Sequence, residues 1–166
     1  MIIASSLRFY DVVVSLHIAA VILAFGVTFT YGLIEALTVR LAPDKLPWVH
    51  RLEYEIGRKF VTPAATVVFL AGLYLALSGD GAFDLADWWV GFGLLSILVI
   101  LGLNGAYFIP REKRLSEMAD RDLAAGGVGS EYQALSRQVA VVGAATGLLI
   151  LITVLFMVLG ARGVFT

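Results

Sequence analysis

Residues 10–37, YDVVVSLHIAAVILAFGVTFTYGLIEAL, form an apolar run with charged residues only near its two ends. A helix needs about 20 such residues to cross a bilayer core. Three further runs of comparable character follow Tyr10–Leu37, at Phe60–Leu77, Trp88–Ile109 and Val139–Gly160. The chain therefore predicts an all-α fold, a four-helix transmembrane bundle running up-down-up-down. One integral membrane domain is expected over residues 1–166.

The composition supports this class. The chain has 166 residues, of which 60% are hydrophobic, and its mean hydropathy is +0.90. A soluble domain of this size would be about 45–50% apolar. The net charge is −1 and there is no cysteine, which argues against nucleic-acid binding and excludes thiolate metal sites. The bilayer is the expected partner, no catalytic motif or metal-ligand set is recognised, and we expect a protein that is not an enzyme.

The basic residues predict the orientation. Of the 12 Lys and Arg residues, all but Arg8 and Arg162 lie between the first and second runs or between the third and fourth. Such residues concentrate on the cytoplasmic side. Both termini should then face outward, as should the loop with Asp80, Asp84 and Asp87, which we interpret as a solvated acidic turn rather than a calcium loop. The expected location is the bacterial cytoplasmic (inner) membrane, as a multi-pass protein.

Prolines and charged residues predict the shape of the basic connections. Pro63 should kink the second helix and Pro110 should bend or end the third, because proline removes a backbone donor. A charged cytoplasmic helix is then expected over residues 111–125 as an extension of the bundle. Glu55 and Lys59, four residues apart, should form an ion pair.

Helix one carries a line of polar residues. At about 100° per residue its members fall within roughly 40° of one line along the helix. A polar stripe in a membrane helix should face the bundle interior or a water-filled cavity. One interpretation is a small transporter or channel component. The members of this polar stripe are Tyr10, His17, Thr28, Tyr31 and Glu35.

His17 allows three interpretations. It is a buried structural histidine, a ligand for haem b or a metal, or part of a proton path. His50 is predicted at the opposite end of the bundle, so a second axial ligand would be Met157, at a depth similar to that of His17. Glu35 is expected to pair with Arg58 or Arg40, and if it lacks such a pair it becomes a proton or cation site.

Gly143 and Gly147 in helix four have the spacing of close helix packing. Packing within the bundle is one explanation. A contact in a homo-oligomer or a larger membrane complex is the other, and it would make the protein a structural assembly subunit.

The run Leu16–Val21, LHIAAV, with Gly26 nine residues after His17, resembles the first helix of a group of small bacterial membrane proteins. These are the uncharacterised four-helix "predicted integral membrane protein" family and, more distantly, the copper-resistance-D and protoporphyrinogen-oxidase-J proteins. Ala24 and Val27 depart from the Trp and second Gly of that pattern. The resemblance implies a haem-associated role for His17, and with it a redox or accessory protein that holds a cofactor near the outer leaflet.

Overall fold

The computed structural model describes residues 8–78 and 84–165, which fold almost entirely as helix. Within them four long helices, α1 (Phe9–Leu41), α2 (Pro43–Leu77), α3 (Trp88–Ala124) and α4 (Ser130–Ala161), are each long and apolar enough to cross a membrane. The predicted all-α four-helix bundle is confirmed, and the protein is a multi-pass membrane protein. Asp80 and its neighbours 79–83 in the predicted acidic turn lie outside the described residues.

The helices are longer than a bilayer requires. They contain 33, 35, 37 and 32 residues, which at about 1.5 Å per residue far exceeds a hydrocarbon core of about 30 Å. The extra length lies at the end where α1 joins α2 and α3 joins α4. We call this end, formed by residues 38–59 and 110–138, the basic end. The predicted ion pair between Glu55 and Lys59 is present there, at 2.8 Å.

Specific residues mark three of the places where a helix is interrupted or ends. A 3-10 turn at Thr28–Thr30 interrupts α1, and the hydroxyl of Thr28 donates to the Phe25 carbonyl at 2.8 Å. Ala42 leaves the helical region and ends α1. Between α3 and α4 the chain turns at Gly126 and Gly127, whose φ angles of 107° and 151° suit glycine.

Both internal prolines follow a π-turn. The π-turns are Gly57–Val61 in α2 and Asn104–Phe108 in α3. The wider turn makes room for a proline ring that would otherwise clash with the carbonyl four residues earlier. The helices consequently continue through Pro63 and Pro110. Contrary to one form of the prediction, α3 does not end at Pro110. The charged segment continues the same helix to Ala124.

The packing order leaves one side of the bundle open. α1 packs on α2, α2 on α3 and α3 on α4, whereas α1 and α4 approach each other at only a few points. We call the gap between α1 and α4 the seam. A central core joins all four helices, and a second core at the basic end forms around Leu46 and Leu115, both fully buried. The central core consists of Ala20, Ala24, Phe25, Ala65, Val68, Ile97, Ile100 and Ile150.

Candidate functional site

A histidine and two glutamates meet between α2 and α3 at the basic end. His50 and Glu53 are three residues apart on α2, so their side chains leave the same face of the helix. Glu112 reaches them from α3, which packs along this part of α2. His50 Nδ1 lies 2.8 Å from Glu112 Oε2 and 3.7 Å from Glu53 Oε2. One ring nitrogen therefore faces two carboxylates. We call these three residues the His–Glu cluster.

The cluster is buried, and no Lys or Arg in the described part of the chain pairs with its two glutamates. The exposed fractions are 0% for His50, 6% for Glu53 and 9% for Glu112. Burying a carboxylate is costly unless an opposite charge accompanies it. Among the described residues, no Lys or Arg forms an ion pair with Glu53 or Glu112. Within the same part of the chain, His50 is the only ion-pair partner of these two glutamates, and each Lys or Arg that forms an ion pair does so with another acid. Those other acids are Asp11, Asp44, Glu55, Glu117, Asp120, Asp122 and Glu131.

The second ring nitrogen is held by the other two helices. His50 Nε2 is 2.7 Å from the hydroxyl oxygen of Tyr132, a buried residue of α4. Glu35 of α1 lies beside both groups, with its Oε1 4.0 Å from Nε2 and within reach of the Tyr132 hydroxyl. Ser136 of α4 donates a hydrogen bond of 2.5 Å to Glu35. All four helices thus contribute a side chain to the surroundings of His50.

The proton on His50 decides what the cluster can bind. When Nδ1 carries it, the ring donates to Glu112. When Nε2 carries it, the ring donates to Tyr132, and the Nδ1 lone pair points toward two carboxylates. When both nitrogens carry a proton, the imidazolium is the cation that the carboxylates face; burial lowers the pKa of His50, but the hydrogen bonds with Glu112 and Glu53 outweigh it and raise this pKa to about 9. In the neutral ring, three electron-rich groups surround one buried point and repel one another unless another cation lies between them. A metal ion satisfies this arrangement, and metal-ligating histidines typically donate their other N–H to an oxygen, as His50 then does to Tyr132.

Two buried oxygens next to the cluster lack hydrogen-bond partners. They are Glu53 Oε1 and the hydroxyl of Tyr31. Both residues line a cavity of about 470 Å³, together with Glu35 and Glu112. Unsatisfied buried polar atoms are rare and require an explanation such as a bound ion or ligand. The cluster therefore opens into a space with unused polar groups at its base.

Hydrogen bonds brace α2 against α3 on both sides of the cluster. On one side the Ser116 hydroxyl donates to the Pro47 carbonyl at 2.9 Å. On the other side the Asn104 amide donates to the Gly57 carbonyl at 3.2 Å and to the Thr62 hydroxyl at 2.8 Å, joining the two π-turns. π-turns are frequent at functional sites. Here they adjoin the cluster, beginning four residues after Glu53 in α2 and ending four residues before Glu112 in α3.

The ligand set determines the class of ion. One atom from each of His50, Glu53 and Glu112 can be chosen so that all three lie within 4.8 Å of one another. Ligands of a single ion at about 2.1 Å are roughly 3 to 4 Å apart, so the geometry would be completed by a small rearrangement in which His50 Nδ1 and Glu112 Oε2 separate from 2.8 Å to admit the ion. Imidazole and carboxylate together suit first-row divalent ions such as Mn²⁺, Fe²⁺ and Zn²⁺.

The chain matches no protein-family model, no curated protein and no solved structure.

The structure divides the predicted polar stripe. Thr28, Tyr31 and Glu35 line the cavity beside the His–Glu cluster. His17 lines a second cavity toward the opposite end. Tyr10 lines neither cavity and packs in an apolar cluster on α2. The two cavities share three lining residues of the central core, Phe25, Ile100 and Ile150, so the stripe does not border one continuous space.

His17 and Met157 border the same cavity, which has a volume of about 440 Å³ and mostly apolar walls. His17 Nδ1 is buried without a hydrogen-bond partner, while the ring interacts with the Val68 backbone. Gly72 and Gly93 make room for the two side chains. A Cβ at Gly72 would lie 3.1 Å from His17 Cε1, and one at Gly93 would overlap Met157 Cε.

The paired glycines of α4 face aromatic rings of this chain. A Cβ at Gly147 would be 3.3 Å from the ring of Phe29 in α1, and one at Gly143 would be 4.0 Å from the ring of Phe108 in α3. Both glycines also border the cavity beside the cluster. The contacts described are within the bundle, and an oligomer contact through these glycines stays a prediction.

The prediction that Glu35 pairs with Arg58 or Arg40 is wrong, because among the described residues Glu35 forms no ion pair with an arginine. Arg58 forms its described ion pair with Glu55, whereas Glu35 accepts from Ser136 and lies next to His50. The His–Glu cluster was not predicted, although the three-residue spacing of His50 and Glu53 places both on one helix face. The pairing with Glu112 across the bundle required the tertiary structure.

Proposed function

We propose that this protein binds a first-row divalent metal ion inside a membrane-embedded helix bundle. The observation that supports the proposal is the position of His50 Nδ1 between two buried glutamates that have no Lys or Arg partner. Glu53 and Glu112 would be the oxygen ligands and His50 the nitrogen ligand. Tyr132 would orient the imidazole through Nε2.

The proposed location of the metal site is the cytoplasmic side of a bacterial inner membrane. The two connections at the basic end hold nearly all of the Lys and Arg residues, and such residues remain cytoplasmic. The site would then draw on the cytoplasmic pool of metal ions. The resemblance to the uncharacterised four-helix family agrees with this location, and it stays a prediction.

The test is metal binding by the purified protein in detergent. After treatment with a chelator, the protein is titrated with Mn²⁺ and followed by electron paramagnetic resonance, with Zn²⁺ added as a competitor. We expect one bound Mn²⁺ per chain. Glu53→Gln should weaken its binding at least tenfold, since it replaces a charged ligand by a neutral amide that leaves the other two groups in place.

A matched control lies two residues away. Glu55 is on the same helix but exposed, and it pairs with Arg58 and Lys59. Glu55→Gln removes the same formal charge outside the cluster, so Mn²⁺ affinity should be retained. Wild-type protein that binds no Mn²⁺, or equal losses in the two variants, would contradict a site at His50.

A second candidate is the haem-holding role for His17 and Met157. The favouring observation is that both side chains border one apolar cavity and that His17 Nδ1 has no hydrogen bond. His17 and Met157 would be the ligand pair of such a haem, and the bound group would supply one-electron redox chemistry. The visible absorption of protein from haem-replete cells tests it. A Soret band that His17→Ala abolishes supports this role, and colourless protein after attempted haem reconstitution rejects it.

The transport alternative is tested by flux. A transporter that uses the polar stripe should lose proteoliposome flux on Glu35→Gln. The core residues Phe25, Ile100 and Ile150 lie where the two cavities meet, so a conducting state would require their movement.

A further inference from the structure

The cavity beside the His–Glu cluster opens sideways through the seam. All four helices line it, and on the side of the seam its walls come from α1 and α4, which make few direct contacts. Phe29, Leu148 and Leu151 form part of the wall, and 48%, 59% and 57% of their surfaces are exposed. In a membrane these exposed apolar surfaces face lipid tails. The cavity is thus accessible from the bilayer itself.

Glycines leave space along the seam, and the ring of Phe29 in α1 crosses it to lie against Gly147 of α4. A Cβ at Gly32 of α1 would have no neighbour within 4 Å, and one at Gly143 of α4 would touch only a ring atom of Phe108. From Glu35 to Phe25 the cavity follows about ten residues of α1, which corresponds to roughly 15 Å. The cross-section and length suit a single apolar chain.

The two ends of the cavity differ in chemistry. The wall toward the bilayer centre is formed by side chains such as Phe25, Leu148 and Ile150. The base at the basic end holds Glu53 Oε1 and the Tyr31 hydroxyl, both buried and without a hydrogen-bond partner. A ligand that fits has an apolar tail and one polar head. Ligand pockets of this kind combine apolar walls with a few convergent polar groups.

We propose that the seam binds a membrane-derived amphiphile with one apolar chain and an oxygen-bearing head, such as a fatty acid or an isoprenoid quinone. The ligand enters laterally between α1 and α4. Its head reaches the Tyr31 hydroxyl and the ion at the His–Glu cluster, and its tail lies against Phe29 and Gly147. This inference rests on the proposed function, because the metal ion offsets the carboxylates that an oxygen head would otherwise meet.

The experiment is photo-cross-linking of the full-length protein in liposomes. Two probes are compared, a fatty acid and an isoprenoid quinone that both carry a diazirine on the chain, and labelled peptides are mapped by mass spectrometry. We expect labels on residues 25–35 and 143–151. The probe that labels these segments identifies the source of the ligand.

Gly143→Leu tests the path of the tail. The added side chain projects into the cavity beside Phe108 and should lower the labelling there about tenfold, equivalent to ~1.4 kcal/mol of binding free energy. Gly143 contacts none of the metal ligands, so Mn²⁺ affinity should be retained. The control is Gly102→Leu, which adds the same group at an exposed position of α3 that does not line the cavity.

The outcomes separate the two proposals. Seam labelling that equals labelling of other lipid-facing surfaces, or that Gly143→Leu leaves unchanged, overturns the seam ligand even if Mn²⁺ binds. Selective labelling in a protein that binds no Mn²⁺ overturns the metal site alone. In that case the assigned contact between the head and the ion is also wrong, and only the path of the tail is supported.

Discussion

At the residue scale, His50 is the side chain on which the candidate site depends. It is fully buried, and each ring nitrogen has an oxygen neighbour at hydrogen-bond distance, Glu112 on Nδ1 and Tyr132 on Nε2. A donor that loses its buried partner costs more free energy than an average hydrogen bond contributes. The two tyrosines near the cluster should therefore differ in importance.

Replacing the tyrosines by phenylalanine distinguishes a required hydroxyl from an unused one. Tyr132→Phe leaves His50 Nε2 without its partner and should lower the free energy of unfolding by about 1–3 kcal/mol. Tyr31→Phe removes a hydroxyl that has no hydrogen bond, so its effect should stay within about 0.5 kcal/mol. Thermal unfolding of both variants in the same detergent, without added metal, is the measurement. Equal losses of stability would contradict the assigned role of Tyr132.

Part of this site can be predicted from sequence. Tyr31 and Glu35 emerge from the periodicity of α1, because polar side chains are conspicuous in an apolar run. Glu53 and Glu112 do not, because they belong to charged segments where solvated acids are the normal expectation. Only the packing of α2 on α3 buries them. A local pattern cannot indicate which charged face a second helix will cover.

At the element scale, the helices were predictable as apolar runs and their internal turns were not. Tyr10–Leu37 and Val139–Gly160 fall within α1 and α4. The sequence marks Pro63 and Pro110 as interruptions, but proline alone does not specify whether a helix kinks, ends or adopts a π-turn. Here Asn104 bonds to the carbonyl of Gly57 across the bundle. This tertiary contact accompanies both π-turns, and the partner of Asn104 is not specified by either helix alone.

α3 packs closely against α4 at Gly160, where the absence of a side chain leaves room for the ring of Trp89. Trp89 is 1% exposed, and a Cβ at Gly160 would overlap its ring. Gly160→Ala should therefore reduce the free energy of unfolding by about 1–3 kcal/mol through overpacking. Gly91→Ala is the control, since a Cβ there meets nothing within 4 Å and alanine favours helix by up to about 1 kcal/mol. Denaturant unfolding compares the pair, and a stabilised Gly160→Ala variant would contradict this packing.

At the scale of the whole molecule, charge and packing assign different properties to the two ends. The basic end carries the long helix extensions, the ion pairs of Glu55 and Glu131, and the His–Glu cluster. The opposite end carries the apolar cavity of His17 and Met157. Orientation in the membrane therefore decides which aqueous compartment supplies the proposed metal ion. The positive-inside rule assigns that role to the cytoplasm.

Cysteine labelling in intact cells tests this orientation. The chain has no native cysteine, so a single introduced thiol reports its own position. Ala86 precedes α3 and Ala125 follows it, and both alanines are exposed. With the basic end in the cytoplasm, a membrane-impermeant maleimide should label Ala86→Cys in intact spheroplasts and Ala125→Cys only after the membrane is permeabilised. The reverse pattern would place the basic end outside. The His–Glu cluster would then draw its ion from the external medium, and the seam would receive its ligand head on the outer side of the bilayer.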